Sequence, residues 1–422
     1  MVSPTLKPCL AAPVGRTVLS RAYFYLEGFC QRLLWRLESQ MERIESINRQ
    51  RIQWCCAERG VTPEDLAREV GISPITFAKF LVGEVGLTFL QLRKIAEYFG
   101  RGVLFFLDEG PAETERVHTV QYRTLAGIKP GMSYQVKKLI ERVERQRELY
   151  LALRDDLNPD DYPTFVPPTV FATDLPRTAV DIRRWLGLGQ QNTFEAYRAA
   201  VQAKGILVFR TNGYAGQWQI PKESPILGFA LYDARCPVIV VRKSQWETQQ
   251  TFTLMHELGH LLLHHESSID DEADMQSRLG HERQANSFAG RLLVPDEVLN
   301  SLRDDERPAN VMNYDEWLKP LRRMLGVSTE VILRRLLEAG RVEQDEYAAY
   351  RAHVASLPVR EEEGGSRMYR FREPRHIFGE TYVRTVLDAL SARRITTTKA
   401  SSYLDGIKLS DIHQLERHIA GN

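Results

Sequence analysis

Thr251-Phe252-Thr253-Leu254-Met255-His256-Glu257-Leu258-Gly259-His260-Leu261-Leu262-Leu263-His264 is the stretch that decides how this chain is read. Apolar Phe252, Met255, Leu262 and Leu263 recur at helical spacing, and no proline interrupts them. On a helix, His256 and His260 lie one turn apart on the same face. Two neutral imidazoles so placed can ligate one Zn²⁺, and Glu257 between them can act as base on a water held by that metal. Such a site needs a third protein ligand, with the fourth position left to water. His264 extends the i+4 series. The azimuth drifts by about 40° at each step, however, so one metal is not easily shared by all three histidines. His264 and His265 therefore read as solvent-facing residues at the helix end.

Two acidic residues downstream compete for the third position. Glu266 stands where a metzincin would place its third histidine, but Leu263 takes the place of that motif's glycine. Glu282 is the better candidate. It opens a second amphipathic helix, 281–293, ended by Pro295, and shares a face with Ala285, Asn286 and Ala289. Alanines there, opposite Gly259, would let the two helices pack closely. Asn286 reads either as a supporting partner of Glu282, one turn away, or as an ordinary polar residue. Upstream, 205–209 and 237–241 are short apolar runs that predict buried strands. The more mixed 228–233 between them predicts an edge strand. The acidic run Asp270, Asp271, Glu272 and Asp274 predicts a loop that returns the chain to the second helix.

The flanking segments predict a multidomain chain: an all-α helix-turn-helix domain, then an α+β zincin-like metallopeptidase domain, then a small C-terminal helical domain. Residues 1–40 are an unpatterned extension, either flexible or an artefact of an upstream start codon. Residues 41–110 form the helix-turn-helix domain. Thr62 and Pro63 start one helix that Gly71 ends, Ser73-Pro74 start the next after a three-residue turn, and Thr88 to Gln91 is a capping box for a third. Residues 111–169 read as a linker and a charged connecting helix, and 170–345 as the metallopeptidase domain. Residues 346–422 read as a basic helical domain behind a flexible break at 361–365. From Ser366 onward it has ten Lys/Arg against six Asp/Glu.

Bulk composition narrows the partners. Over 422 residues the net charge is +1, so nothing pulls the whole chain towards nucleic acid or an acidic membrane. Residues 41–110 hold nine Lys/Arg and ten Asp/Glu, which leaves no basic footprint. DNA contact would rest on Ser73, Thr76 and Lys79 of the second helix, with Arg68 nearby. The same module can instead serve dimerisation or docking. Arg393, Arg394 and Lys399 of the tail read as a solvated face rather than a DNA contact. Five cysteines without a CxxC pair argue against disulfides or a thiolate zinc site and fit a reducing cytoplasm. No run of eighteen apolar residues predicts a membrane span.

HExxH followed by Glu282-Arg283-Gln284-Ala285-Asn286-Ser287-Phe288-Ala289 resembles the ImmA/IrrE family of bacterial metallo-endopeptidases. The strand-like runs before it match that family's layout. An Xre-type helix-turn-helix in front and a short basic helical tail behind resemble its fused, antitoxin-like members. The resemblance covers roughly residues 45–420, strongly at 225–295 and weakly at 130–200 and in the tail. It implies His256, His260 and Glu282 as ligands of one Zn²⁺, or of Mn²⁺ or another divalent ion, and Glu257 as base. Met255 replaces the alanine more usual before the first histidine.

Two functions follow as expectations. One is a zinc-dependent, site-specific endopeptidase that controls transcription or a toxin–antitoxin pair by cutting a partner encoded nearby, either a repressor or a toxin. The other is a DNA-binding antitoxin or repressor that uses the zincin fold for docking without significant proteolysis. The implied partners are operator DNA, the cut or docked protein and a second copy of the chain, with no membrane. Tyr232 and Tyr214 are the candidates for stabilising an oxyanion.

Overall fold

The computed structural model describes residues 43–110, 132–189, 192–212, 216–277, 279–357 and 367–420, which fall into two compact units. The unpatterned residues 1–40, the linker at 111–131, Tyr214 and the break at 361–365 lie outside them.

The first unit holds α1 (Arg49–Arg59), α2 (Pro63–Glu69), α3 (Pro74–Leu81) and α4 (Phe89–Phe99), with a short antiparallel pair of β1 (Arg43–Ile44) and β2 (Leu87–Thr88). Thr62 caps α2 by accepting from the Asp65 amide, and Gly71 turns the chain towards α3 at φ 69°. Thr88 and Gln91 form a reciprocal capping box at the start of α4. Leu66, Phe77, Phe80, Leu92, Ile95 and Phe99 close one apolar core among these helices.

The second unit is built on a four-stranded sheet. It opens with α5 (Tyr134–Asp156), α6 (Leu175–Leu186) and α7 (Phe194–Gln202), then β3 (Leu207–Arg210), β4 (Ile226–Leu231) and β5 (Val238–Val241). Next come α8 (Glu247–Gly259), continued by a π-helical turn at His260–His264, then β6 (Ser268–Asp271) and α9 (Gly280–Leu293). Five helices follow: α10 (Asp296–Asn300), α11 (Tyr314–Trp317), α12 (Lys319–Leu325), α13 (Thr329–Glu338) and α14 (Gln344–Ser356). The last three are α15 (Glu373–Ser391), broken at Gly379, α16 (Thr397–Tyr403) and α17 (Leu409–Ala420).

The strand order is β3-β5-β4-β6, with β3 parallel to β5 and the other pairs antiparallel. Period-2 alternation divides the side chains between two layers. Val208, Ala230, Ile239 and Val241 face α6 to α9 and α13. Leu207, Phe209, Phe229, Val240 and Ile269 face α5 and α15 to α17.

Three expectations are corrected here. The segment expected as an edge strand is β4, which lies between β5 and β6; the edges are β3 and β6. The polar Asp233 that made it look marginal falls after the strand ends at Leu231. The charged helix expected as a connecting arm is α5, a core element. Val136, Leu139, Ile140, Val143, Tyr150 and Leu153 form a buried stripe on it. Each such side chain contributes roughly 1.5–3 kcal/mol when removed from water, which fixes α5 on the sheet however charged its other faces are. The expected C-terminal domain at 346–422 is not a separate body. Tyr347 and Tyr350 of α14 join the core on one side of the sheet, and α15 to α17 join the core on the other. Arg393, Arg394 and Lys399 are exposed, as a solvated face requires.

The junction of α15 with β3 carries a pH dependence. Arg210 Nη2 donates to His376 Nδ1 at 2.7 Å, while His376 Nε2 lies 3.3 Å from the Thr211 carbonyl to which it donates. Burial first, then the charges of Arg210, Lys243 and Arg198, push this imidazole from its ordinary 6.5 down to about 2. His376 is thus neutral in the folded protein. Below pH 6.5 the unfolded chain takes up a proton there that the fold refuses, so stability falls as pH drops, by about 1.4 kcal/mol per unit at most. Between pH 7 and pH 5 the wild type is expected to lose about 2 kcal/mol more than His376→Gln in urea denaturation. Equal losses in the two proteins would refute this.

Candidate metal centre

From Gln250 to Gly259 helix α8 is buried on every face, between the sheet and α9. Small residues make both contacts possible. A Cβ on Gly259 would sit 3.1 Å from Phe288 Cδ1 and 3.2 Å from Ala285 Cα, so the glycine and alanines bring α9 against α8. On the other side, a Cβ on Gly228 of β4 would meet Thr253 Cγ2 at 2.6 Å and Glu257 Oε1 at 2.9 Å. Gly228→Ala is therefore expected to displace Glu257 and to lower stability by about 1–3 kcal/mol in thermal or urea unfolding. Wild-type stability in that variant would show that the contact is slack.

Four side chains from three elements converge between these layers: His256 and His260 of α8 and its π turn, Asp270 of β6 and Glu282 of α9. His256 and His260 Nε2 are 3.1 Å apart. Glu282 Oε2 lies 3.3 and 3.5 Å from them, and Asp270 Oδ2 lies 3.7 Å from each. Four ligands at about 2.0 Å from one tetrahedral Zn²⁺ are separated by about 3.3 Å, and these distances lie close to five of the six edges of such a tetrahedron.

The tautomers fit the same centre. Asn286 Nδ2 donates to the Asp274 and Ser277 carbonyls, so its Oδ1 faces His256 and accepts from Nδ1 at 3.0 Å. Arg334 also donates to that oxygen. His260 Nδ1 is 3.1 Å from His264 Nδ1, and His264 Nε2 is 3.0 Å from Gln284 Oε1. Burial pushes His264 down to about 4, so at neutral pH it accepts from His260 and donates to Gln284. Both Nε2 lone pairs are then left pointing at one spot. Glu257 Oε1, Asp270 Oδ2 and Glu282 Oε2 are also buried there without a hydrogen-bond partner. Orphaned oxygens beside converging lone pairs are the signature of a cation site.

Electrostatics separate the three carboxylates. Burial, reinforced by Asp270, raises Glu257 well above the usual range. Burial also raises Asp270, against the pull of His256 and His260. For Glu282, half-open to solvent, burial pushes up, but in the metal-free site the two histidines, when protonated on Nε2, outweigh it and hold the carboxyl well below its usual range. Glu257 Oε2 accepts from Ser268 Oγ at 2.7 Å, which fixes the carboxylate beside the cradle.

The residues expected from sequence, His256, Glu257, His260 and Glu282, are thus brought together. Asp270 and Ser268 were not expected. Of the run read as an acidic loop, Asp270 and Asp271 end strand β6 while Glu272 and Asp274 lie in the turn after it; the polar–apolar–polar order at 268–270 was the available signal for the strand. His264, expected to face solvent, is half-buried and supports His260. Tyr232 lies just past the end of β4 with its ring against His265. In the other unit, Ser73 and Lys79 are exposed and Thr76 is half-buried on α3, whose opposite face buries Phe77 and Phe80. The Ser73 side chain makes no cap bond.

Comparison with known proteins gives three matches. Residues 202–337 match the model of the IrrE N-terminal-like domain, a peptidase family, and this stretch contains all four cradle residues and Glu257. Residues 51–101 match the Cro/C1-type helix-turn-helix DNA-binding domain. "Uncharacterized immunity region protein 2" of Bacillus phage phi105 is 35% identical over 91 residues, covering 21% of this chain and 56% of that protein. The chain thus spans about half the length of this relative. Among the described residues, no helix is long and apolar enough to cross a membrane. The chain carries a Cro/C1-type helix-turn-helix DNA-binding domain at 51–101 and, at 202–337, a metallopeptidase-type domain of the IrrE N-terminal-like family.

Proposed function

We propose that this protein is a zinc-dependent, site-specific endopeptidase that regulates transcription or a toxin–antitoxin pair by cutting one partner protein. The observation that carries this reading is the near-tetrahedral spacing of the cradle with the unpartnered Oε1 of Glu257 beside it. His256, His260 and Glu282 are the proposed ligands. A Zn²⁺ bound there supplies a water of lowered pKa and polarises a carbonyl. Glu257 receives the water's proton on Oε1 while Ser268 holds Oε2, and later delivers it to the leaving amine. The scissile peptide lies extended along the outer edge of β6, the edge strand that carries Ser268 and Asp270.

The name of the phage relative places it in an immunity region, which supports a regulatory role over a digestive one. Ser73, Thr76 and Lys79 are the proposed operator contacts. Lys79→Ala is expected to weaken operator binding on all sequences alike and to lower the salt dependence by about one counterion, as read in titrations at several salt concentrations. An unchanged slope would remove Lys79 from the interface.

The experiment that tests the function is co-expression with the proteins encoded beside it, in wild-type and Glu257→Gln forms, with fragments identified by mass spectrometry. A neighbour cut only by the wild type supports the peptidase. A neighbour that co-purifies equally with both forms and is never cut makes the domain a docking module.

A further inference from the structure

Asp270 is the residue of the cradle that the three-ligand scheme leaves without a task. It is 2% exposed, and its Oδ2 has no hydrogen-bond partner although it points between His256 and His260. A buried carboxylate oxygen left this way is costly unless a cation balances it. Its position is built by the strand. Alternation on β6 turns Ser268 and Asp270 to the site and Ile269 into the opposite core. On β4 the pairing slips by one residue there, since Ile226 faces Asp271 and Gly228 faces Asp270. Such bulges re-aim a side chain beside a site.

We propose that Asp270 is a fourth protein ligand that closes the resting metal site and occupies the position a water needs. The inference rests on the metal reading above. Two histidines and two carboxylates match both the tetrahedral number and the charge of a divalent ion, so the ligand shell with its ion is neutral when Asp270 is bound. Opening it requires only one exchange. The Asp270 oxygen would give up its place to one water, and no bond of the chain would break. Because β6 pairs on one side only, and irregularly at this residue, its shift moves Asp270 while Glu282 on α9 stays in place. Asp270 is thus a latch, and Glu282, whose side chain is 26% exposed, faces the solvent route to the ion.

The test uses the full chain, stripped of metal and reloaded. Zn²⁺ affinity is measured by chelator competition for wild type, Asp270→Asn and Asp270→Ala. The Co²⁺-loaded forms are then titrated with azide and followed by visible absorption. The expected result is an affinity loss of about tenfold or more in both variants. Azide is expected to alter the spectrum of the Ala variant and to leave the wild-type spectrum unchanged. An unchanged affinity, or a wild-type spectrum that responds to azide, overturns the latch. A wild type that takes up neither Zn²⁺ nor Co²⁺ overturns the metal reading itself. Asp270→Asn keeps the side-chain shape, so it carries the affinity test if the Ala variant does not fold.

Discussion

Glu257→Gln is expected to lower peptide-bond cleavage by about two to four orders of magnitude, the contribution of a positioned general base. Zinc uptake should be unchanged, because Glu257 is not among the four cradle groups. The two readouts together separate loss of the base from loss of the metal. A second effect should appear in the chelated protein. Burial raises the Glu257 carboxyl well above its ordinary 4.5, so the unfolded chain releases a proton there at a lower pH than the fold does. The contribution to stability is therefore lost as pH rises above 4.5. The glutamine carries no such proton, and the chelated variant should be the more stable protein at neutral pH. Full activity in Glu257→Gln would remove Glu257 from the chemistry and leave the cradle without a base.

The second large effect concerns the metal itself. Adding Zn²⁺ to the stripped protein at about a thousand times its dissociation constant should stabilise the fold by about 4 kcal/mol. For a unit of this size that raises Tm by on the order of 10 °C. The physical source is local. In the stripped state, two Nε2 lone pairs face each other at 3.1 Å and three carboxylate oxygens lack partners. His260→Ala should abolish the shift and stoichiometric binding together. It removes one ligand and leaves His264 with only Gln284 as a polar partner in the relay. Differential scanning with and without Zn²⁺ measures this directly. A Tm that Zn²⁺ does not move in the wild type would disprove the cradle.

Local spacing made half of this site legible. His256, Glu257 and His260 sit within five residues on one helix, and Glu282 could be placed by the small residues that let α9 approach. Asp270 could not be found the same way. Its strand is four residues long, it runs straight into further acids, and only the slip on β4 aims it at the histidines. The support of His260 by His264 depends on the helix relaxing into a π turn after Gly259, whereas ideal helical geometry turns His264 away. At the level of the fold, β3 and β5 follow from their apolar runs and both site helices from apolar periodicity. The far layer does not. Helix α5 buries a narrow stripe beneath a largely charged surface that includes buried Glu144, Arg147 and Arg154, so its composition suggests solvent where its packing is core. The last three helices were legible as helices, but nothing in their basic composition reveals that the sheet's second face is left for them to cover.

Strand β6 has a consequence for how the chain must fold. Ser268, Ile269 and Asp270 alternate across the sheet, so slippage by a single residue would exchange their roles completely. Ile269 would then press its methyl groups on Glu257, and two polar side chains would enter a layer otherwise made of Phe229, Val240 and Leu231. The backbone ladder would survive such a slip with little loss, and the sheet alone therefore does not forbid it. The order of three side chains forbids it, by making the misaligned strand wrong on both faces at once.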